Sequence, residues 1–384
     1  MTSKDRDERK SAWYAQEPLL RSIASGIRQL AVSRNERARE FGYGSYPEFR
    51  LGFEGFRVAE LIELTDSIGT DIRAVAKVRR ARFQEATGLS GWYPWDTRYA
   101  EELESNVPSQ AFTADQMVPA VLAGVKDWGF GKAALRFRID RHDLPVGGIE
   151  IPVDPPSDVR VIVHPGASWI RYMILFHEVG HAVHARSNLR HPSILKYHEY
   201  LPGFPGFVEG VGTLFEEIAH APEWLGSRPA IDRRDAAAMG RIFDLGKITG
   251  FIGLLAMIRT ELEMYRNPKA DLDKVHHDWT RKFGVYDSFE PTSFVNTLFV
   301  GYPVYVQSYL FGSMFARQVL AKMREDVRGP LWPNPGFAAW LTSNWFQHSG
   351  EFDWVDQVRR VTGAPLGTRA FGIWAQETIS QIQS

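Results

Sequence analysis

Apolar residues recur at three- and four-residue intervals along most of the chain, the spacing that lines one face of a helix. The pattern predicts an amphipathic helix from about Glu17 to Glu40, ended by Gly42. A second helix is expected over Phe56–Ile72, with Gly69 as its weak point. Asp71–Glu85 follows, rich in Arg and Lys on one face as a solvated surface helix is. Another helix opens over Asp96–Glu104, and Ser109–Trp128 reads as turns and helix. The character changes between Ala133 and Pro165, where Pro145, Gly147, Gly148, Pro152, Pro155 and Pro156 punctuate β-branched residues. Arg136–Ile139, Gly148–Val153 and Val159–His164 alternate or cluster apolar residues as short strands do, so residues 133–165 are expected to form a small β-ribbon. Helical spacing then resumes over Ser168–Ser187, Gly206–His220, Arg233–Tyr265, Leu272–Phe283, Val304–Arg324, Phe337–His348 and Asp353–Thr362. The loop Asn188–Pro205 carries three prolines and separates two of these helices. The order of elements predicts a mainly α protein with no internal repeat.

Length and charge narrow the class. At 384 residues the chain holds one large domain or two lobes. A formal net charge of −1, with no dominant basic patch, speaks against nucleic acid as a partner. The sequence contains no cysteine, which removes disulfides, thiolate metal sites and cysteine nucleophiles, and fits a reducing, cytoplasmic setting. The N-terminal MTSKDRDERKSAWYAQ is charged and has no apolar core, so it does not read as a signal peptide. Pro291–Ala316 has no charged residue, yet it holds Asn296, Pro303, Gln307 and several hydroxyls. It reads as a buried helical segment lining something polar rather than a membrane span.

Candidate chemistry concentrates in Phe176-His177-Glu178-Val179-Gly180-His181. Histidines at i and i+4 share one helix face, where both imidazoles can take one zinc ion. Glu178 sits one step round the helix, within reach of a water at that ion. Met173–Phe176 and Ala182–Val183 are apolar, so the helix is expected to be buried, and burying two histidines and a glutamate without partners is costly. With no cysteine present, a third ligand must be His or carboxylate. In the next patterned helix Glu209 stands among glycines and apolar residues and is the favoured ligand. Glu216, two turns on along the same face, is expected to support a ligand histidine from behind. Glu217 is offset from that face and is expected to be exposed. These helices place the zinc site within residues 168–220.

The pairing of FHEVGHAVH with FVEGVGTLFEE resembles the thimet oligopeptidase and oligoendopeptidase F family of zinc peptidases, as a short member of the gluzincin type. RNERAREFGYGSYPEF is similar to that family's N-terminal helix pair, and YPWDTRYAEEL to its tryptophan–aspartate segment. GYPVYVQSYLFGSMFA is similar to its tyrosine-rich helix, here within residues 291–324. HSGEFDWVDQVRRVTGA is similar to its serine–glycine turn and closing helix. The likeness covers nearly the whole chain, and a more distant one to angiotensin-converting enzyme is expected. It implies one peptidase-like domain over residues 1–384, with two lobes around a substrate cleft and the ribbon near the active site. Carried across, it makes His177, His181 and Glu209 the ligands of a single Zn2+ and Glu178 the general base. It makes Tyr302 and Tyr309 candidates for oxyanion contacts, and Tyr305 joins them by spacing alone. Two features depart from the family: Asn296-Thr297 stands where members often have a histidine, and the chain is considerably shorter, with much of the N-terminal lobe trimmed.

The implied activity is hydrolysis of short peptides by zinc-activated water. The ribbon around Val159–Val163 is expected to take an extended peptide as an added strand, and His164 beside it is a candidate substrate contact. Two other readings stand next to this one. A specialised zinc-dependent amide or peptide-conjugate hydrolase fits the short chain and the absent histidine. A non-catalytic peptide-binding module is opposed by Glu178, a base that binding alone does not need.

Overall fold

The computed structural model describes residues 2–105, 107–144, 147–187, 205–348 and 351–383. Two expected features lie outside these residues: nearly all of the proline-bearing loop 188–205, and the Ser349-Gly350 turn. The chain divides into two compact units. One comprises Met1–Asn106, Ile242–Leu310 and Gly372–Ser384, the other Val107–Arg241 and Phe311–Phe371.

The first unit is helical among its described residues. Helix α1 (Arg6–Tyr14) starts on Asp5, whose carboxylate accepts the N–H of Asp7 at 2.8 Å. It is fixed by Arg6 and Arg9, both paired with the buried Asp96 at 2.6 and 2.8 Å. Helix α2 (Glu17–Glu40) buries Ile27, Ala31, Asn35 and Ala38, and the chain leaves it through Gly42 at φ 85°. Helix α3 (Tyr46–Phe53) left no mark in the apolar spacing, but it pairs with α2 where RNERAREFGYGSYPEF resembles a helix pair. Asn35 ties it down, accepting the N–H of Tyr46 at 2.9 Å and donating to the carbonyl of Tyr265 at 2.8 Å.

Helix α4 (Val58–Thr87) is one 30-residue element where the pattern predicted two. Its buried positions Leu61, Thr65, Ile68, Ile72, Val75, Arg79 and Phe83 keep three- and four-residue spacing straight through the expected break. Gly69 does not weaken the helix; it makes room. A Cβ there would lie 2.2 Å from the ring of Phe283. After α5 (Thr97–Ser105) the unit continues with most of α10 (Arg233–Arg266), then α11 (Leu272–Gly284) and α12 (Leu298–Gly301).

The second unit is built around a three-stranded sheet and a helix pair. Helix α6 (Met117–Asp127) leads into β1 (Arg138–Arg141), β2 (Gly148–Asp154) and β3 (Asp158–Val163). The sheet order is β1-β3-β2, with β1 parallel and β2 antiparallel to β3. Val159, Val161 and Val163 point to one face and are buried, the alternation that predicted a strand. β3 is paired on both sides, so a peptide strand added to this ribbon would lie along β1 or β2. Helices α7 (Trp169–Ser187) and α8 (Pro205–His220) pack together, followed by α9 (Pro222–Leu225). The unit closes with most of α13 (Gln307–Asp326), α14 (Gly336–Asn344), α15 (Trp354–Thr362) and the first residues of α16 (Arg369–Gln383). Among the described residues no helix is long and apolar enough to cross a membrane.

Candidate metal centre

Helix α7 is enclosed along most of its length. Tyr172, Leu175, Phe176, and Glu178 through Ala185 are all buried. Two glycines let α8 come close. A Cβ on Gly180 would lie 2.9 Å from the ring of Phe215, and one on Gly212 would lie 2.5 Å from the imidazole of His177. On another side, Gly147 and Gly148, at the entry to β2, allow Ile174 and Glu178 of α7 to approach the backbone. A Cβ on Gly148 would meet Cγ of Glu178 at 2.8 Å. Small residues on three segments thus set the depth at which the HEVGH side chains sit.

This packing brings His177, His181 and Glu209 together. One donor atom from each lies within 4.8 Å of the others, a spacing that could hold one metal ion. Nε2 of His177 is 3.3 Å from Oε2 of Glu209, and the two imidazole rings stand 4.6 Å apart at 80°. The other nitrogen of His177, Nδ1, lies 2.7 Å from Oε1 of Glu216. Burial disfavours charge on this imidazole, yet the carboxylates of Glu209 and Glu216 outweigh it and hold its pKa well above the ordinary value. A metal would take the place of the proton on Nε2, while Glu216 keeps the proton on Nδ1, which is the tautomer a metal requires. The donor set of two imidazoles and one carboxylate suits a first-row divalent ion such as zinc.

Glu178 is 9% exposed, and its carboxylate accepts the backbone N–H of Glu150 on β2. Burial pushes its pKa up to about 7, against the opposing pull of His177. The sheet therefore contributes directly to the site, through Gly148 and the Glu150 amide. Neither was singled out from the sequence, although the Gly147-Gly148 pair beside a strand is the signal that backbone and side chain meet there.

Other expected positions fall differently. Glu217 is not exposed: it is buried at 3% and paired with Arg317 of α13 at 2.7 Å. The close approach of α8 and α13 explains this. A Cβ on Gly312 would lie 2.8 Å from the backbone and Cβ of Glu209, so no solvent remains on that side. His164 is held locally, with Nδ1 2.6 Å from the carbonyl of Pro165 and Nε2 2.9 Å from Asp143. Tyr302, Tyr305 and Tyr309 belong to the first unit. Their rings form a series with centroids 5.5 and 5.6 Å apart, and Tyr302 is 60% exposed. Helix α13 begins at Gln307 rather than at Val304, so Tyr309 sits in its first turn. In the same unit Asn296 Oδ1 accepts the N–H of Leu298 at 2.9 Å.

Comparison with protein-family models finds no match, and no curated protein matches the sequence. Solved structures do match. An M32 carboxypeptidase from Deinococcus radiodurans R1 superposes with a TM-score of 0.73 at 14% identity, over 98% of this chain and 78% of that one. PZ peptidase A, solved with an inhibitor, gives 0.72 at 14% identity, over 100% and 70%. A putative oligoendopeptidase F from Bacillus anthracis gives 0.69 at 16% identity, over 100% and 67%. The chain therefore has the mainly α fold shared by these peptidases.

Proposed function

We propose that this protein is a zinc-dependent metallopeptidase acting on short peptides. The observation that carries the reading is the convergence of His177, His181 and Glu209 within 4.8 Å, beside the buried Glu178 and with Glu216 behind His177. The fold likeness to carboxypeptidases and oligoendopeptidases supports it. Zinc, when bound by the three side chains, supplies a Lewis acid that polarises the scissile carbonyl and makes water acidic enough to attack near neutral pH.

The chain's own groups do the rest. Glu178 accepts a proton from the attacking water and delivers it to the departing amine. A buried carboxylate held beside the attacking water is placed for both transfers. The Glu150 amide fixes the carboxylate's direction. Glu216 keeps the His177 ring oriented and its Nδ1 protonated. Tyr302 and Tyr309 donate their hydroxyls to the oxygen on which charge develops, with Tyr305 as a further substrate contact. His164, anchored by Asp143, borders the sheet and contacts substrate from there. The protein works on oligopeptides in the cytoplasm, without nucleic-acid or membrane partners.

A panel of quenched fluorescent peptides tests this reading, with product masses distinguishing release of single C-terminal residues from internal cleavage. Cleavage should stop with a chelator and return with zinc. Glu178→Gln should keep the metal and lose about 10²–10⁴-fold in kcat. Near-normal turnover by that variant, or turnover indifferent to chelation, would sink the proposal.

A further inference from the structure

Val304 adopts a φ of 51°, the left-handed conformation that β-branched residues avoid. It is also 1% exposed, out of reach of bulk solvent. Two buried side chains do. Its N–H donates to Oε1 of Glu261 at 2.8 Å, and its carbonyl accepts from Nε2 of Gln307 at 2.6 Å. Glu261 reaches in from α10 and is 3% exposed; Gln307 is 1% exposed. The amide of Gln307 also lies 3.5 Å from Glu54, which Arg50 holds at 3.0 Å. The clamp thus has a further layer behind it.

The clamped residue lies between Tyr302 and Tyr305, one turn before Tyr309. Tyr302 follows α12, its N–H donating to the carbonyl of Leu298 at 2.8 Å. Tyr305 accepts from the N–H of Ser308 at 2.7 Å, which joins it to the start of α13. The φ of Val304 therefore sets the angle between a tyrosine attached to one helix and two attached to the next. Relaxing it to an ordinary right-handed value would rotate the chain by about 110° and break the ring series. A glycine could take this φ freely. A valine keeps it only while both backbone groups stay bound.

We propose that Glu261, acting with Gln307, is the positioning residue for the tyrosine series, fixing the relative directions of the Tyr302 and Tyr309 hydroxyls without touching substrate. This rests on the proposal that these hydroxyls serve hydrolysis. Glu261→Gln keeps an acceptor for the Val304 N–H; Glu261→Leu does not. Each variant is made with 3-fluorotyrosine, the Tyr302, Tyr305 and Tyr309 fluorine signals are assigned by Tyr→Phe substitution, and kcat and KM are measured on a cleaved peptide. Glu261→Gln should stay within about twofold of the parent. Glu261→Leu should lose about tenfold or more in kcat with little change in KM, and should shift or broaden the Tyr302 and Tyr305 signals while the other tyrosines stay put. Unchanged signals and unchanged kcat in Glu261→Leu would overturn the proposal, as would an equal loss in Glu261→Gln. If Glu261→Leu does not fold, Gln307→Leu replaces it: the same signals must move, and their constancy overturns the clamp. A protein that cleaves no peptide but shows the fluorine changes refutes the peptidase reading and leaves the clamp standing.

Discussion

Gly212→Ala is the sharpest probe of the proposed metal centre, because it adds one carbon and removes none of the proposed ligands. The new Cβ would lie 2.5 Å from both Cε1 and Nε2 of His177 and 2.6 Å from Nδ1, that is, against the face of the ring. Ordinary contact begins near 3.4 Å, so ring and carbon must separate by about 0.9 Å, whereas a metal–ligand distance tolerates about ±0.2 Å. The ring cannot simply turn away, since Nδ1 is held by Glu216 at 2.7 Å. Either that bond breaks or α7 and α8 move apart, at a cost of about 1–3 kcal/mol for overpacking. Losing the carboxylate support alone weakens metal binding about 10–100-fold, and displacing the donor atom adds to that. Helix propensity works in the opposite sense, favouring alanine over glycine by about 1 kcal/mol. The helical fold should therefore survive while the metal is lost. Zinc competition against a graded series of chelators measures the affinity, and circular dichroism checks the helices. Gly250→Ala is the control: its Cβ meets nothing within 4 Å, so it should bind zinc as the parent does. If Gly212→Ala holds one zinc with parental affinity, His177 is not a ligand in this geometry.

Three further predictions follow from the packing. Arg317→Met leaves Glu217 buried without its cation and should cost about 3–5 kcal/mol in urea unfolding, whereas Glu217→Leu with Arg317→Met should recover most of that loss; an equal loss in the double variant would contradict the pairing. Burial raises the pKa of Glu261 from 4.5 to about 7. Its contribution to stability is therefore complete below about pH 4.5 and lost as pH rises through 7. Glu261→Gln should then gain on the parent by up to about 3 kcal/mol between pH 5 and pH 8, and parallel stability curves for the two proteins would refute this. Gly69→Ala should destabilise by about 1–3 kcal/mol despite alanine's better helix propensity, because of the ring of Phe283; Phe283→Leu in the same protein should restore stability, and a stabilised single variant would show that the ring yields freely.

What the sequence determined by itself was local. The i, i+4 spacing in one helix sets His177 and His181 on a common face wherever that helix lies, and alternation in Val159–Val163 marks a strand whatever its neighbours. Most long helices were legible for the same reason, because an amphipathic stripe records which side faces the core. The short α1 escaped, since nine residues give a stripe little length to repeat. Tertiary structure decided everything that depends on two distant segments meeting. It made Gly69 a contact for Phe283 rather than a break, drew Glu217 inside against Arg317, and closed both edges of β3. It also set the Glu150 amide against Glu178 and clamped Val304 between Glu261 and Gln307. Periodicity reports which face of an element is buried, but not what lies against it. That second fact arises only when the chain packs, because the absence of a Cβ has no consequence until another side chain fills the space.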